Sequence, residues 1–227
     1  MIPLKDHNPT RRIPIINLLL IAANLAVFLY QYFYLPQGPA YLVRALGLVP
    51  YDLLNSPVAG PHALLPAPLT VISAMFIHGG WLHLLGNMLY LWIFGDNVED
   101  RLGHGRYLFF YLTCGVIAAL VHAAVFTQSE VPCVGASGAI SGVLVAYLIF
   151  FPKARVSTLF VIFIFIKVVR LPAVLLLGVW IVLQILGGMQ SLTAAAGGVA
   201  WFAHIGGLAA GLLLSLMMRP PQRQRAG

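Results

Sequence analysis

Charge is what this chain has least of. Only 8% of its 227 residues are Asp, Glu, Lys or Arg, where a soluble domain of this size carries about 25%. Hydrophobic residues make up 60% of the chain and the mean hydropathy is +0.92. So few charges cannot cover a water-soluble globule, and the chain is expected to be an integral membrane protein. Acidic residues are scarcest: Asp6, Asp52, Asp96, Glu99, Asp100 and Glu130, all in expected tails, loops or helix edges. That excludes an aspartyl protease, which needs two membrane aspartates, and it leaves no carboxylate to complete an intramembrane triad. The net charge of +7 does not imply nucleic acid, because a membrane protein distributes its basic residues by topology. Cysteine is limited to Cys114 and Cys133, in no recognisable motif, so two inert free thiols are expected rather than a disulfide framework. No cleavable leader is expected, since the apolar run after Arg11 and Arg12 is too long and lacks a small-residue cleavage site.

What is present is long apolar runs. Crossing the hydrocarbon takes about 20 residues, and the sequence predicts six helices. They cover Ile13 to Tyr34, Trp81 to Phe94, Arg106 to Phe126, Ser137 to Phe151, and two more in the uncharged block Leu171 to Met218, divided at "GGMQSLTAAAGG". The expected fold is an all-α, polytopic six-transmembrane-helix bundle, a single domain over residues 1–227 with basic tails at about 1–12 and 219–227. Six spans place every Lys and Arg but Arg44 on one side, so both termini are expected to be cytoplasmic. The long first loop, about residues 35–80, is apolar enough to lie partly in the outer leaflet. "VSTLFVIFIFI", between Arg155 and Lys167, is too short to span and is expected at the interface or as a helix extension.

Within the fourth helix stands "GASGAISG". From Ser137 to Phe151 this helix is about 22 Å long, shorter than the bilayer core, so its start should lie below the outer surface. Irregular backbone at that depth is tolerated only where protein buries it or water reaches it, which implies a hydrated pocket. A serine is a weak nucleophile without a base, and "WFAHIGGLAAG" supplies His204 at comparable depth in the sixth helix. Gly138 with Gly142, and Gly207 with Gly211, are four apart; such spacing lets two helix backbones approach closely. Alone it signals packing, but an intramembrane histidine at matched depth is a functional candidate.

A third element is "FIHGGWLHLLGN", which puts His83 and Asn87 on one helix face. Donors there suit a developing oxyanion, together with backbone N–H groups at the start of the fourth helix. A metal site on His78 and His83 is the rival reading. It lacks the HExxH pattern and a nearby glutamate, so no metal and no cofactor are expected.

Taken together, "GLVP", "HGGWLHLLGN", "VEDRLGHGRY", "GASG" and "AHIGGLAAG", in this order, resemble the rhomboid family of intramembrane serine proteases over nearly the whole chain. The resemblance implies Ser137 as nucleophile and His204 as general base, then acid. It implies His83, Asn87 and the backbone of Gly135 and Ser137 around the oxyanion, and a structural role for Glu99, Arg101 and Gly103. Many members carry an aromatic residue four positions after the serine; here stands Ser141, so the resemblance does not say what orients His204. The implied partners are single-span transmembrane protein substrates and the lipid bilayer, without nucleic acid. The expected location is a bacterial inner membrane, with the site opening to the extracytoplasmic side. A catalytically inactive binder of transmembrane helices is the alternative, and it predicts a damaged dyad. A small transporter would show an internal repeat, and none is found.

Overall fold

A computed structural model describes residues 1–55, 63–162, 165–191 and 200–218. The protein is mostly helical. A short strand, β1 (Ile2–Asp6), precedes α1 (Ile15–Phe33). The first loop forms three short helices, α2 (Ala40–Leu46), α3 (Pro50–Asn55) and α4 (Ala67–Ser73), the last extended by a 3₁₀ turn to Phe76. After a 78° bend the chain runs from Trp81 to Leu102 as α5 (Trp81–Tyr90), a π turn (Leu91–Gly95) and α6 (Asp96–Leu102). Then come α7 (His104–Val125), α8 (Ser137–Phe150), strands β2 (Arg155–Ile162) and β3 (Phe165–Pro172), α9 (Ala173–Ser191) and α10 (Trp201–Met217).

By length and composition α1, α7 and α9 are each able to cross a membrane, and the bent pair Ala67–Phe76 with Trp81–Leu102 makes a fourth candidate. Helices α8 and α10 are apolar but shorter. The second expected helix runs beyond Phe94 because the π turn absorbs one residue without breaking the helix. The divider "GGMQSLTAAAGG" and the basic tail lie partly or wholly outside the described residues, as does part of the Pro-rich stretch of the first loop.

One expectation is corrected. The segment after Arg155 does not extend a helix, and the fold is not all-α: β2 and β3 form an antiparallel hairpin, and β1 joins its other edge to give the order β1-β2-β3. β-Branched residues crowd these strands and favour the pleated form. Val156 and Thr158 are buried while Arg155 and Arg170 are exposed. A continuous apolar run hides that alternation from a reading of hydropathy alone.

Three helices of small-residue sequence lie against one another. A Cβ on Gly207 would sit 1.9 Å from the Gly138 carbonyl oxygen, and one on Gly211 2.4 Å from the Gly142 Cα, so α10 meets α8 backbone to backbone. On its other flank α8 meets α7: a Cβ on Gly142 would lie 2.5 Å from Cys114 Sγ, and one on Gly138 2.6 Å from Ala118 Cβ. Around this packet the core is filled by large side chains, among them Phe28, Phe94, Tyr111 and Leu144.

Candidate active site

The site is built around the start of α8. The segment that enters this helix is held by the first loop: Leu48 and Cys133 exchange backbone hydrogen bonds (3.0 and 2.7 Å), and the Gly135 N–H donates to the Ala74 carbonyl at 2.8 Å. Gly135 has φ +118°, a region L side chains avoid, and the His83 ring packs where its Cβ would stand, 2.6 Å from Nε2. The Ile140 amide is the first to be bonded within the helix, to the Ala136 carbonyl. The amides of Ser137, Gly138 and Ala139 therefore have no acceptor within the helix, and at a helix N-terminus such N–H groups favour negative charge.

Ser137 is half-buried on the wall of a cavity of about 890 Å³, within the size range of small-molecule sites. His204 of α10, 8% exposed, borders the same cavity. Its Nε2 lies 2.7 Å from Ser137 Oγ. On its far side Nδ1 lies 2.7 Å from Oε1 of Gln184 on α9. The rings of Trp180 and Trp201 flank the imidazole at centroid distances of 6.1 and 6.3 Å. Ser141 takes no part: its hydroxyl donates back to the Ser137 carbonyl at 2.7 Å.

Across the cavity stand His83 and Asn87 on α5. The Asn87 Nδ2 is 2.9 Å from Nε2 of His78, which is fully buried in the bend before α5. One of the two Asn87 amide hydrogens is thereby engaged, and the other remains for the cavity. The Gly79 N–H makes a long 3.5 Å contact to His83 Nδ1. The rings of His78 and His83 meet edge to face at 5.1 Å. Among the described residues no cluster of three or more His, Cys, Asp or Glu is arranged to hold a metal ion. Both cysteines are free.

A family model described as the rhomboid domain matches residues 67–221, well over half of the sequence. The chain belongs to the rhomboid family. RHOMBOID-like protein 4 of Arabidopsis thaliana is 36% identical over 155 residues, covering 66% of this rhomboid and 34% of that relative. Rhomboid protease GluP of Bacillus subtilis (strain 168) is 41% identical over 78 residues, 34% of this chain and 15% of its own. The mitochondrial presenilin-associated rhomboid-like protein of Homo sapiens is 35% identical over 101 residues, 42% and 27% of the two chains. The matches thus span about a third of these relatives or less, and the relatives do not share one membrane.

In this rhomboid, then, Ser137, His204, His83 and Asn87 all border one cavity. The backbone of Gly135 does not serve as expected. Its amide is engaged by Ala74, so Gly135 gives room to His83 rather than a donor to an oxyanion. His78, which enters the sequence reading only as a rival metal ligand, lies before α5 and orients the Asn87 amide. Sequence reasoning missed Gln184 and His122 of the cavity wall. For Gln184 a signal was there: it is the one amide in the apolar stretch "AVLLLGVWIVLQILGG".

Proposed function

We propose that this rhomboid is an intramembrane serine endopeptidase. It would hydrolyse a peptide bond in or near the transmembrane segment of single-span membrane proteins, using Ser137 and His204. The observation that carries this reading is the 2.7 Å contact between Ser137 Oγ and His204 Nε2 on the wall of a large cavity. In the same reading the six apolar helices span the bilayer as one domain, both termini are cytoplasmic, and the cavity opens to the extracytoplasmic side.

The Ser137 hydroxyl proton passes to His204 Nε2 as Oγ bonds to the carbonyl carbon of the substrate. The oxygen that gains negative charge faces the Ser137 amide, the free Asn87 hydrogen and the His83 ring, donors fixed before the reaction begins. His204 then gives its proton to the departing amine nitrogen as the C–N bond breaks. Water, deprotonated by the same imidazole, hydrolyses the acyl ester and restores the serine. A bond inside a helix is shielded by its own hydrogen bonds, so the substrate segment must unwind at the cavity. Helix-weakening Gly or Pro near the outer end of its span would favour that step.

The test combines labelling with turnover in detergent or liposomes. A fluorophosphonate probe should label the wild type and not Ser137→Ala. Ser137→Ala and His204→Ala should each abolish cleavage of a single-span substrate, with the double variant no worse than either single, because the pair acts as a unit. Substantial turnover by either single variant would overturn the assignment, and binding of the substrate without turnover by the wild type would favour the inactive helix binder.

A further inference from the structure

The imidazole of a serine–histidine pair works in only one of its two neutral tautomers. The nitrogen facing the serine must be bare to take the proton, and the other must carry the hydrogen. Ser141, one turn along α8, is turned onto the Ser137 carbonyl and gives His204 no support.

The groups that do face His204 are few. From α8 there is Ser137; from α5 and α7 there are the histidines of the cavity wall, His83 and His122; from α9 there are Trp180 and Gln184. Of these only Ser137 and Gln184 lie within hydrogen-bond reach of its ring nitrogens. Gln184 is itself 5% exposed, and an amide so deeply buried in an apolar helix is costly unless both of its ends are bonded. Its Nε2 donates to the Trp180 carbonyl, one turn back, at 3.2 Å. That contact fixes which way the amide points, since the flipped arrangement would set two oxygens face to face. Oε1 is therefore the atom 2.7 Å from His204 Nδ1. An amide oxygen carries no hydrogen, so the hydrogen in that contact belongs to Nδ1. Nε2 is left bare, and the Ser137 hydroxyl donates to it.

We propose that Gln184 is the positioning residue of His204: it holds the histidine in the tautomer and ring plane that let it accept the Ser137 proton. This rests on the reading of Ser137 and His204 as the reacting pair. A neutral amide thus stands where a carboxylate would complete a triad. It orients the ring without placing a second charge in the membrane. The hydrogen-bond chain runs in one direction, from Ser137 through His204 and Gln184 to a backbone carbonyl of α9.

Three variants of the full-length protein in detergent decide it. Gln184→Leu keeps the volume and suits the apolar surroundings, so a merely structural amide would tolerate it. We expect kcat to fall about 10- to 100-fold with little change in KM, and fluorophosphonate labelling of Ser137 to slow in parallel. Gln184→Glu retains the acceptor oxygen and should keep activity within several-fold of wild type, whereas Gln184→Met, without an acceptor of that strength, should resemble the leucine variant. Wild-type kcat in Gln184→Leu would overturn the proposal. So would a glutamate variant as impaired as the leucine one at unchanged thermal stability. A readout independent of turnover is ¹⁵N NMR of histidine-labelled protein, with His204→Ala for assignment. The wild type should show His204 protonated on Nδ1 alone, and Gln184→Leu a mixture of tautomers. Protonation on Nε2 in the wild type would overturn the proposal even if every variant failed to fold. Full turnover by Ser137→Ala would instead remove the dyad and leave the tautomer result standing.

Discussion

The two ends of the helix bundle use buried polar groups in opposite ways. At the end away from the cavity, Glu99 is 1% exposed and its oxygens accept from the amides of Ile16 (2.9 Å) and Asn17 (2.7 Å) and from His104 Nδ1. Helix α1 has no side-chain cap of its own, so Glu99 caps it from a distant part of the sequence, where the helix dipole favours an acid. Asn17 continues the network to the Leu91 carbonyl and the Tyr107 hydroxyl. Beside it Asp6 accepts from Asn97, Tyr147 and the Asn8 amide. At the cavity end, ring nitrogens stay unpaired: His78 Nδ1 and His122 Nδ1 are buried without a partner among the described residues. His83 and Asn87 also line the cavity beside Ser137. At the Glu99 end, Arg101 Nε on α6 is also buried without a partner among the described residues. The Glu99 and Asp6 carboxylates, however, have their acceptor sites filled, and a carboxylate so bonded stabilises the fold and has little left to offer a ligand. Polar groups held in place but unsatisfied are what a reacting substrate needs.

If that contrast is right, damage at the two ends should separate function from stability. The largest effect is expected from Asn87→Ala and His83→Ala. Each should lower kcat about 10²–10³-fold, the usual cost of one oxyanion donor, while the thermal unfolding midpoint stays close to wild type. A large drop in that midpoint with kcat preserved would make the cavity wall merely structural. Next comes Glu99→Ala, which leaves two helix amides and His104 without their acceptor and should cost about 3 kcal/mol of stability. The folded fraction should turn over substrate at nearly the wild-type rate, as read by denaturant titration beside activity per folded molecule. A collapse of kcat in stable protein would break the comparison.

The smallest effect concerns Asp6. Burial raises its carboxyl above the usual range, opposed by the hydrogen bonds from Tyr147 and Asn8. The folded state therefore holds this proton more tightly than the unfolded chain. Its contribution to stability is complete on the acid side and declines as pH rises through and just above the ordinary carboxylate range. Asp6→Asn keeps an acceptor oxygen and should change stability by less than about 1 kcal/mol. Melting curves of the two proteins across that range should converge in acid and part above it.

Much of the site could be read from the sequence because its chemistry is carried by polar residues in greasy surroundings. Ser137 and His204 stand out as polar residues in apolar helices, and the four-residue glycine spacings announce the contact of α8 with α10. Gln184 stands out equally, but its use depends on α9 bringing its Oε1 to His204, a tertiary fact. The Gly135 amide was misjudged for a similar reason, since only the folded backbone shows that Ala74 has taken it. The strands were hidden twice over. An unbroken apolar run masks their alternation, and the pairing of β1 with β2 joins segments that no local pattern connects.

That pairing has a consequence for the order of synthesis. Ile2 pairs with Leu159 and Asp6 with Val156, so β1, once made, has no partner until β2 follows about 150 residues later. At a ribosomal rate of about 5–20 residues per second, the delay is roughly 10–30 s. Throughout that interval β1 is a bare strand edge, the kind of surface that seeks other chains. The register shift between Pro3 and Lys5 and the proline and lysine beside it blunt that edge, and they let β1 wait for the segment that completes it.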